Sequence, residues 1–266
     1  YDVSKTNQQG FTDWLRQHYL DDSALQTAWG NDKITLETAA IPAFPGEEET
    51  HNVFYELPKM QPVVDFLQYS SESVADALMS LTAVAARATK QGNEAIIAAH
   101  YGYAYENLPH DCGHFALELL LESDLNTILS PVSYVDRGLG GVGGPMGPVD
   151  SMLVRGKRWF MIDDTRTGVE RDAITGAFER IKGINVDDVY EVQRRNFALT
   201  LTYGLGLVWA DPQGEGWLHD ADQWKHFGQL NTIYSERLGS QAENRQEEYH
   251  GAVMTVVVDE TSRFYV

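Results

Sequence analysis

The segment Gly156-Lys157-Arg158-Trp159-Phe160-Met161-Ile162-Asp163-Asp164-Thr165-Arg166-Thr167 concentrates the residues able to do chemistry in this chain. An aromatic and aliphatic run of strand character stops at two adjacent acids, and an arginine follows two residues later. Apolar residues favour a buried strand, and the acids then emerge at its carboxyl end. In an α/β barrel that end is the catalytic face. Successive strand residues point to opposite sides, so one of Asp163 and Asp164 is expected to face the barrel axis while the other braces it. Arg166 can compensate the charge of either. The plainer reading of the same string is an acidic strand-to-helix loop, with Asp or Thr capping a helix near Thr167.

Three other apolar runs end in comparable chemistry. One leads into His100-Tyr101-Gly102-Tyr103-Ala104-Tyr105-Glu106, and a second into Ser133-Tyr134-Val135-Asp136-Arg137. The last ends in Trp209-Ala210-Asp211, with Trp217 six residues on. Aromatic rings stack on the apolar faces of pyranoses, while carboxylates and arginine hydrogen-bond hydroxyls, so this mixture suits a sugar site. For any one aromatic, packing in the interior is the plainer account. The candidate substrate-binding residues are His100, Tyr101, Tyr103, Glu106, His114, Tyr134, Arg137, Asp164, Arg166, Trp209 and Asp211, with Asp163 beside them.

Positioning these residues requires strands alternating with helices. Strand-like runs at 94–103, 125–132, 157–162 and 204–210 are separated by helical patterns at 113–122, 169–181 and 186–201, and another helix follows at 221–238. That βαβα alternation predicts an α/β fold with a parallel sheet. Before it, the pattern predicts helices at 6–19, 23–29 and 60–90, with a Pro- and Glu-rich loop at 41–58. Tyr1 in place of Met, and a β-branched run at 252–259 just before the end, lead us to expect a fragment trimmed at both ends.

Composition narrows the function classes. A net charge of −19 argues against nucleic acid as a partner, because phosphate binding needs a basic surface. It suits a neutral or cationic ligand, and equally a salty habitat. No apolar run reaches the roughly 18 residues of a membrane span, so no membrane partner is expected. Cys112 is the single cysteine, which excludes an intrachain disulfide and a cysteine-based zinc cluster.

Several blocks resemble a known family. Phe11-Thr12-Asp13-Trp14-Leu15-Arg16-Gln17-His18-Tyr19, followed by Ala24-Leu25-Gln26-Thr27-Ala28-Trp29-Gly30, resembles the F-x-x-W-L-x-x-x-Y … a-L-N-x-A-W-G segment of family 42 β-galactosidases and related clan A glycoside hydrolases. The blocks YGYAYE, GHFALELLLESDLNTILSPVSYVDRG and GKRWFMIDDTRT look like a branch of the same group. The resemblance implies a (β/α)8 TIM barrel represented by its C-terminal half, strands 5–8. Residues 1–93 would then be the helical insert and the helix after strand 4, and residues 94–250 strands 5–8. Residues 251–266 would begin a flavodoxin-like domain through which the full-length protein forms a homotrimer. The acid/base glutamate would lie upstream of Tyr1. No cofactor and no metal is implied, and the compartment stays open between cytoplasm and periplasm.

One departure bears on catalysis. Related sequences carry their nucleophile as the glutamate of W-x-x-E-x-D-x-R-T, and this chain has Ile162 there. Either Asp163 takes over through a one-residue shift, or the nucleophile is lost. A one-residue shift turns a side chain to the opposite face. The leading expectation is a retaining glycoside hydrolase acting on β-galactosides or galactose-containing polysaccharide. The alternative is a non-catalytic carbohydrate-binding homologue. A third reading is a metal-dependent hydrolase built on His110-Asp111-Cys112-Gly113-His114, whose spacing fits no regular zinc motif. The glycine-rich stretch 138–147 lacks the Lys-Ser or Lys-Thr of a phosphate loop and reads as a mobile active-site loop with Arg137 at its base. Arg194-Arg195-Asn196 reads as a surface or interface feature of a helix.

Overall fold

The computed structural model describes residues 2–43, 54–89, 96–103, 106, 113–172, 175–243 and 256–265. The chain forms two compact units, one of residues 1–97, 107–125 and 258–266, the other of residues 98–106 and 126–257.

The first unit is helical. Helix α1 (Lys5–His18) starts where the Ser4 side chain accepts from the Asn7 amide, and α2 (Asp22–Trp29) is capped in the same way by Asp21. Gly30, at φ 61°, ends α2 in the left-handed conformation that glycine adopts without strain. Phe11, Trp14 and Leu15 recur at helical spacing and pack with Leu25, Trp29, Phe66 and Tyr69, the last two from α3 (Gln61–Thr89). Much of the block quoted above as family-like is therefore the core of this unit. Asp65 lies inside that core, yet accepts from Tyr19 Oη, Trp29 Nε1 and Gln61 Nε2 at 2.7, 2.7 and 2.8 Å. Burial of the carboxylate is tolerable because its oxygens are satisfied.

The second unit holds a four-stranded parallel sheet. Its strands are β1 (Ala98–His100), β2 (Thr127–Pro131), β3 (Arg158–Asp163) and β6 (Gly206–Trp209), hydrogen-bonded in that order. All four expected strands are present, parallel and adjacent, which makes this an α/β unit. Helix α5 (Val149–Leu153) packs on β3, and α6 (Val186–Tyr203) packs on both β3 and β6. Helix α7 (Ala221–Glu243) packs on α6. No helix among the described residues is long and apolar enough to cross a membrane.

Three local expectations are corrected. Residues 169–181 form an antiparallel hairpin, β4 (Val169–Arg171) and β5 (Phe178–Arg180), in place of the expected helix. The turn is built by Asp172, whose carboxylate accepts from the Thr175 amide and hydroxyl, and by Gly176 at φ 70°. A helix would have to absorb a left-handed glycine in mid-run. The expected helix at 113–122 is shortened to α4 (Leu117–Leu121), which belongs to the first unit. Near the end, Val256–Val258 form no strand and Thr261–Tyr265 form a 3-10 helix, where the resemblance implied a new strand. Residues 251–255 lie outside the described ones. That 3-10 helix packs on α3, and Glu260 accepts from the Leu117 amide at 2.8 Å.

Candidate active site

Register decides which way the two acids point. Asp163 pairs with Trp209 across β3 and β6, and Ile162 pairs with Val208. Register partners of neighbouring parallel strands share a face, and successive residues alternate. Asn196 of α6 donates its side-chain amide to Asp163 Oδ2 at 3.0 Å, and Trp209 stacks on Phe227 of α7 at 3.9 Å. Both residues therefore face the helices, and Ile162 and Val208 face the other side. Asp163 is 3 % exposed, and its second oxygen accepts from the Thr165 amide at 3.2 Å. The expected nucleophile is thus buried on the side of α6, with both carboxylate oxygens hydrogen-bonded.

Asp164, just past the strand, has the opposite environment. Tyr134 Oη donates to its Oδ2 at 2.9 Å, and Arg137 Nη1 donates to its Oδ1 at 2.6 Å. Both donors come from the loop after β2, the neighbouring strand. Arg137 also donates through Nε to Ser133 O and through Nη2 to Val132 O, at 3.0 and 2.6 Å. Its guanidinium lies 4.0 Å from the centre of the Tyr134 ring, within range of a cation–π contact. Glu106 accepts the Tyr134 amide at 2.7 Å, and Tyr103 hydrogen-bonds the Tyr134 side chain. Burial raises the Tyr134 phenol, and the Asp164 carboxylate adds to the rise, so Tyr134 stays a hydroxyl donor. Burial likewise raises Tyr103, with Asp164 again contributing.

Five of the residues marked in the sequence thus form one bonded cluster: Tyr103, Glu106, Tyr134, Arg137 and Asp164. The others serve elsewhere. Tyr101 is wholly buried, and His100 ends β1 exposed. Arg166 pairs with Glu170 of the β4–β5 hairpin, not with either acid. Asp211 accepts the amides of Glu215, Gly216 and Trp217, which makes it the organiser of its own loop. His114 belongs to the first unit, where burial lowers its imidazole to about 4. His110 and Cys112 lie outside the described residues, and no group of three potential metal ligands occurs among the described ones.

Two residues read as surface features turn out to shape the site. Arg195 of α6 donates from Nη1 to Gly138 O and Gly141 O at 2.7 and 2.9 Å, and from Nη2 to Arg137 O at 2.9 Å. Its remaining N–H groups reach Asn196 Oδ1. All five guanidinium donors are engaged. The glycine-rich stretch, expected to be a mobile loop, is wound around this cation, and Gly143 at φ 64° has no room for a Cβ against Arg195 and Asn196. Asp136 closes the loop by accepting the Val142 amide at 2.8 Å. Asn196 was visible in principle. It falls on the buried stripe Val189, Val192, Gln193, Asn196, Phe197 and Thr200, and a polar residue there needs a buried partner.

Neither a protein-family model nor a curated protein matches this chain.

Proposed function

We propose that this chain carries the sugar-binding end of a retaining glycoside hydrolase barrel, strands 5–8 of eight, acting on galactose-containing saccharides, with Asp164 as its nucleophile. The observation that supports the reading best is the placement of Asp164 beyond the carboxyl end of β3, held by a guanidinium and a phenol. Those two donors orient a carboxylate and compensate its charge without burying it completely, since its side chain remains 13 % exposed. Asp163 cannot play this part while Asn196 holds it against α6.

In the reaction an oxygen of Asp164 attacks the anomeric carbon. The glycosidic carbon–oxygen bond breaks, and the departing oxygen takes a proton from the acid/base glutamate that the resemblance places upstream. Water, deprotonated by that same glutamate, then cleaves the glycosyl ester and releases Asp164. The Tyr134 hydroxyl and Arg137 fix the carboxylate's approach, and preorganised donors of this kind need no rearrangement at the moment of reaction. The exposed Tyr134 ring offers a flat surface to the sugar.

A binding homologue without turnover is the second reading, and Ile162 at the glutamate position favours it. The full-length protein incubated with aryl β-galactosides separates the two. Hydrolysis with retention of anomeric configuration supports the enzyme. Tyr134→Phe should then lower kcat/KM by about 10- to 100-fold, the cost of one charge-assisted hydrogen bond. Saturable binding with no product from any galactoside would leave the binding homologue standing.

A further inference from the structure

The loop after β2 spends its polar side chains within and leaves its apolar ones outside. Its ends meet where Val132 pairs with Pro145 and the Ser133 amide donates to Gly144 O at 2.9 Å. Ser133 Oγ accepts the Asp136 amide at 3.0 Å, the Asp136 carboxylate accepts the Val142 amide, and Arg137 donates to Ser133 O and Val132 O. Arg195 holds the turn from inside through Arg137 O, Gly138 O and Gly141 O. Tyr134, Val135, Leu139 and Val142 are left between 48 and 79 % exposed, and nothing crowds Gly138 or Gly140 beside them. Exposed apolar side chains grouped in this way mark a binding surface.

Size and charge narrow the occupant. Four side chains cover far less than the roughly 800 Å² per partner of a stable protein interface. Two copies of a chain with net charge −19 also repel each other. A small apolar group fits better. Tyr134 joins this surface to the candidate site, since its hydroxyl donates to Asp164 and Val135 follows it directly. Beyond Tyr134 the side chains are aliphatic, and they offer a second sugar neither a hydrogen-bond partner nor a flat ring. We infer that this loop is the platform for an alkyl aglycone carried by the sugar at Asp164, an inference that rests on the carbohydrate reading above. Arg195 has already ordered the loop, so little backbone freedom is lost when the chain settles on it.

The test uses the full-length protein and two probes that resist cleavage, methyl and octyl 1-thio-β-galactoside. Both are titrated calorimetrically, the octyl compound below its micelle concentration. The octyl probe should bind at least about tenfold more tightly than the methyl probe, roughly the gain from fully burying two methylenes. Leu139→Asn combined with Val142→Thr changes two exposed side chains outside the bonded cluster, and should remove that gain while leaving methyl binding unchanged. Equal binding of the two probes by the wild type, or an octyl gain that survives the double variant, would overturn the platform and leave sugar binding intact. A doubling of the sedimenting mass that the double variant abolishes would place a second copy on the loop, and would overturn it too. Failure of both probes to bind would remove the carbohydrate reading, and the platform with it.

Discussion

The side-chain amide of Asn196 donates to Asp163 across 3.0 Å, and this one bond separates the roles of two adjacent acids. Asp163 becomes part of the packing between β3 and α6, whereas Asp164 is left to Tyr134 and Arg137. Removing the donor leaves a buried carboxylate oxygen without its partner. Asn196→Ala should therefore cost about 2–3 kcal/mol of unfolding free energy, measured by urea denaturation at pH 7. A loss below about 0.5 kcal/mol, the scale of an ordinary surface substitution, would show that the bond does not anchor Asp163.

Arg195 holds the glycine-rich loop from within, and its removal should release that loop without unfolding α6. In Arg195→Ala the amides of Val142 and Gly143, which donate to the Asp136 carboxylate and carbonyl, should exchange with solvent at least about tenfold faster than in the wild type. Arg195→Lys should not restore protection, because an ammonium has three donors and cannot reproduce the planar five-donor fork. Unchanged exchange at both amides in the alanine variant would contradict this role.

Much of this organisation was legible in the residues, and the misses have physical causes. Apolar runs marked all four strands, most clearly β2 and β3, where burial of nearly every position leaves little room for polar residues. Direction was harder to read. Asp163, Asp164 and Trp209 were correctly placed at strand ends, but which face each presents depends on register, and a one-residue difference reverses it. The hairpin at 169–180 was hidden by Glu170, Arg171, Glu179 and Arg180, charged residues common on helix surfaces, although Asp172 and Gly176 carried the turn signal. Arg195 was opaque for another reason. Its partners are backbone carbonyls of a loop more than fifty residues away, and no side-chain pattern announces a carbonyl acceptor.

The first unit contains two groups whose pH effects oppose each other. Burial holds the His114 imidazole at about 4 against 6.5 in an unfolded chain. The unfolded chain therefore binds a proton first, and stability falls as the pH drops through that window. Burial pushes the Glu260 carboxyl up to about 7 from 4.5, with Glu118 and Asp259 adding to the rise against the Leu117 amide. The folded chain keeps that proton longer, so this contribution is present below 4.5 and is lost as the pH rises through 7. Urea midpoints should resolve the pair. His114→Gln should flatten the acid limb, and Glu260→Gln should raise stability at pH 8 relative to pH 5. The opposite sign in either variant would refute the corresponding assignment.

The assignment of the nucleophile is tested most directly by trapping it. The full-length protein should be inactivated with a 2-deoxy-2-fluoro-galactosyl fluoride, which forms the glycosyl ester readily and hydrolyses it slowly, and the modified peptide sequenced by mass spectrometry. The arrangement around Tyr134 and Arg137 predicts one galactosyl adduct on Asp164, lost in Asp164→Asn and retained in Asp163→Asn. An adduct on Asp163, or saturable sugar binding with no adduct on either acid, would contradict it.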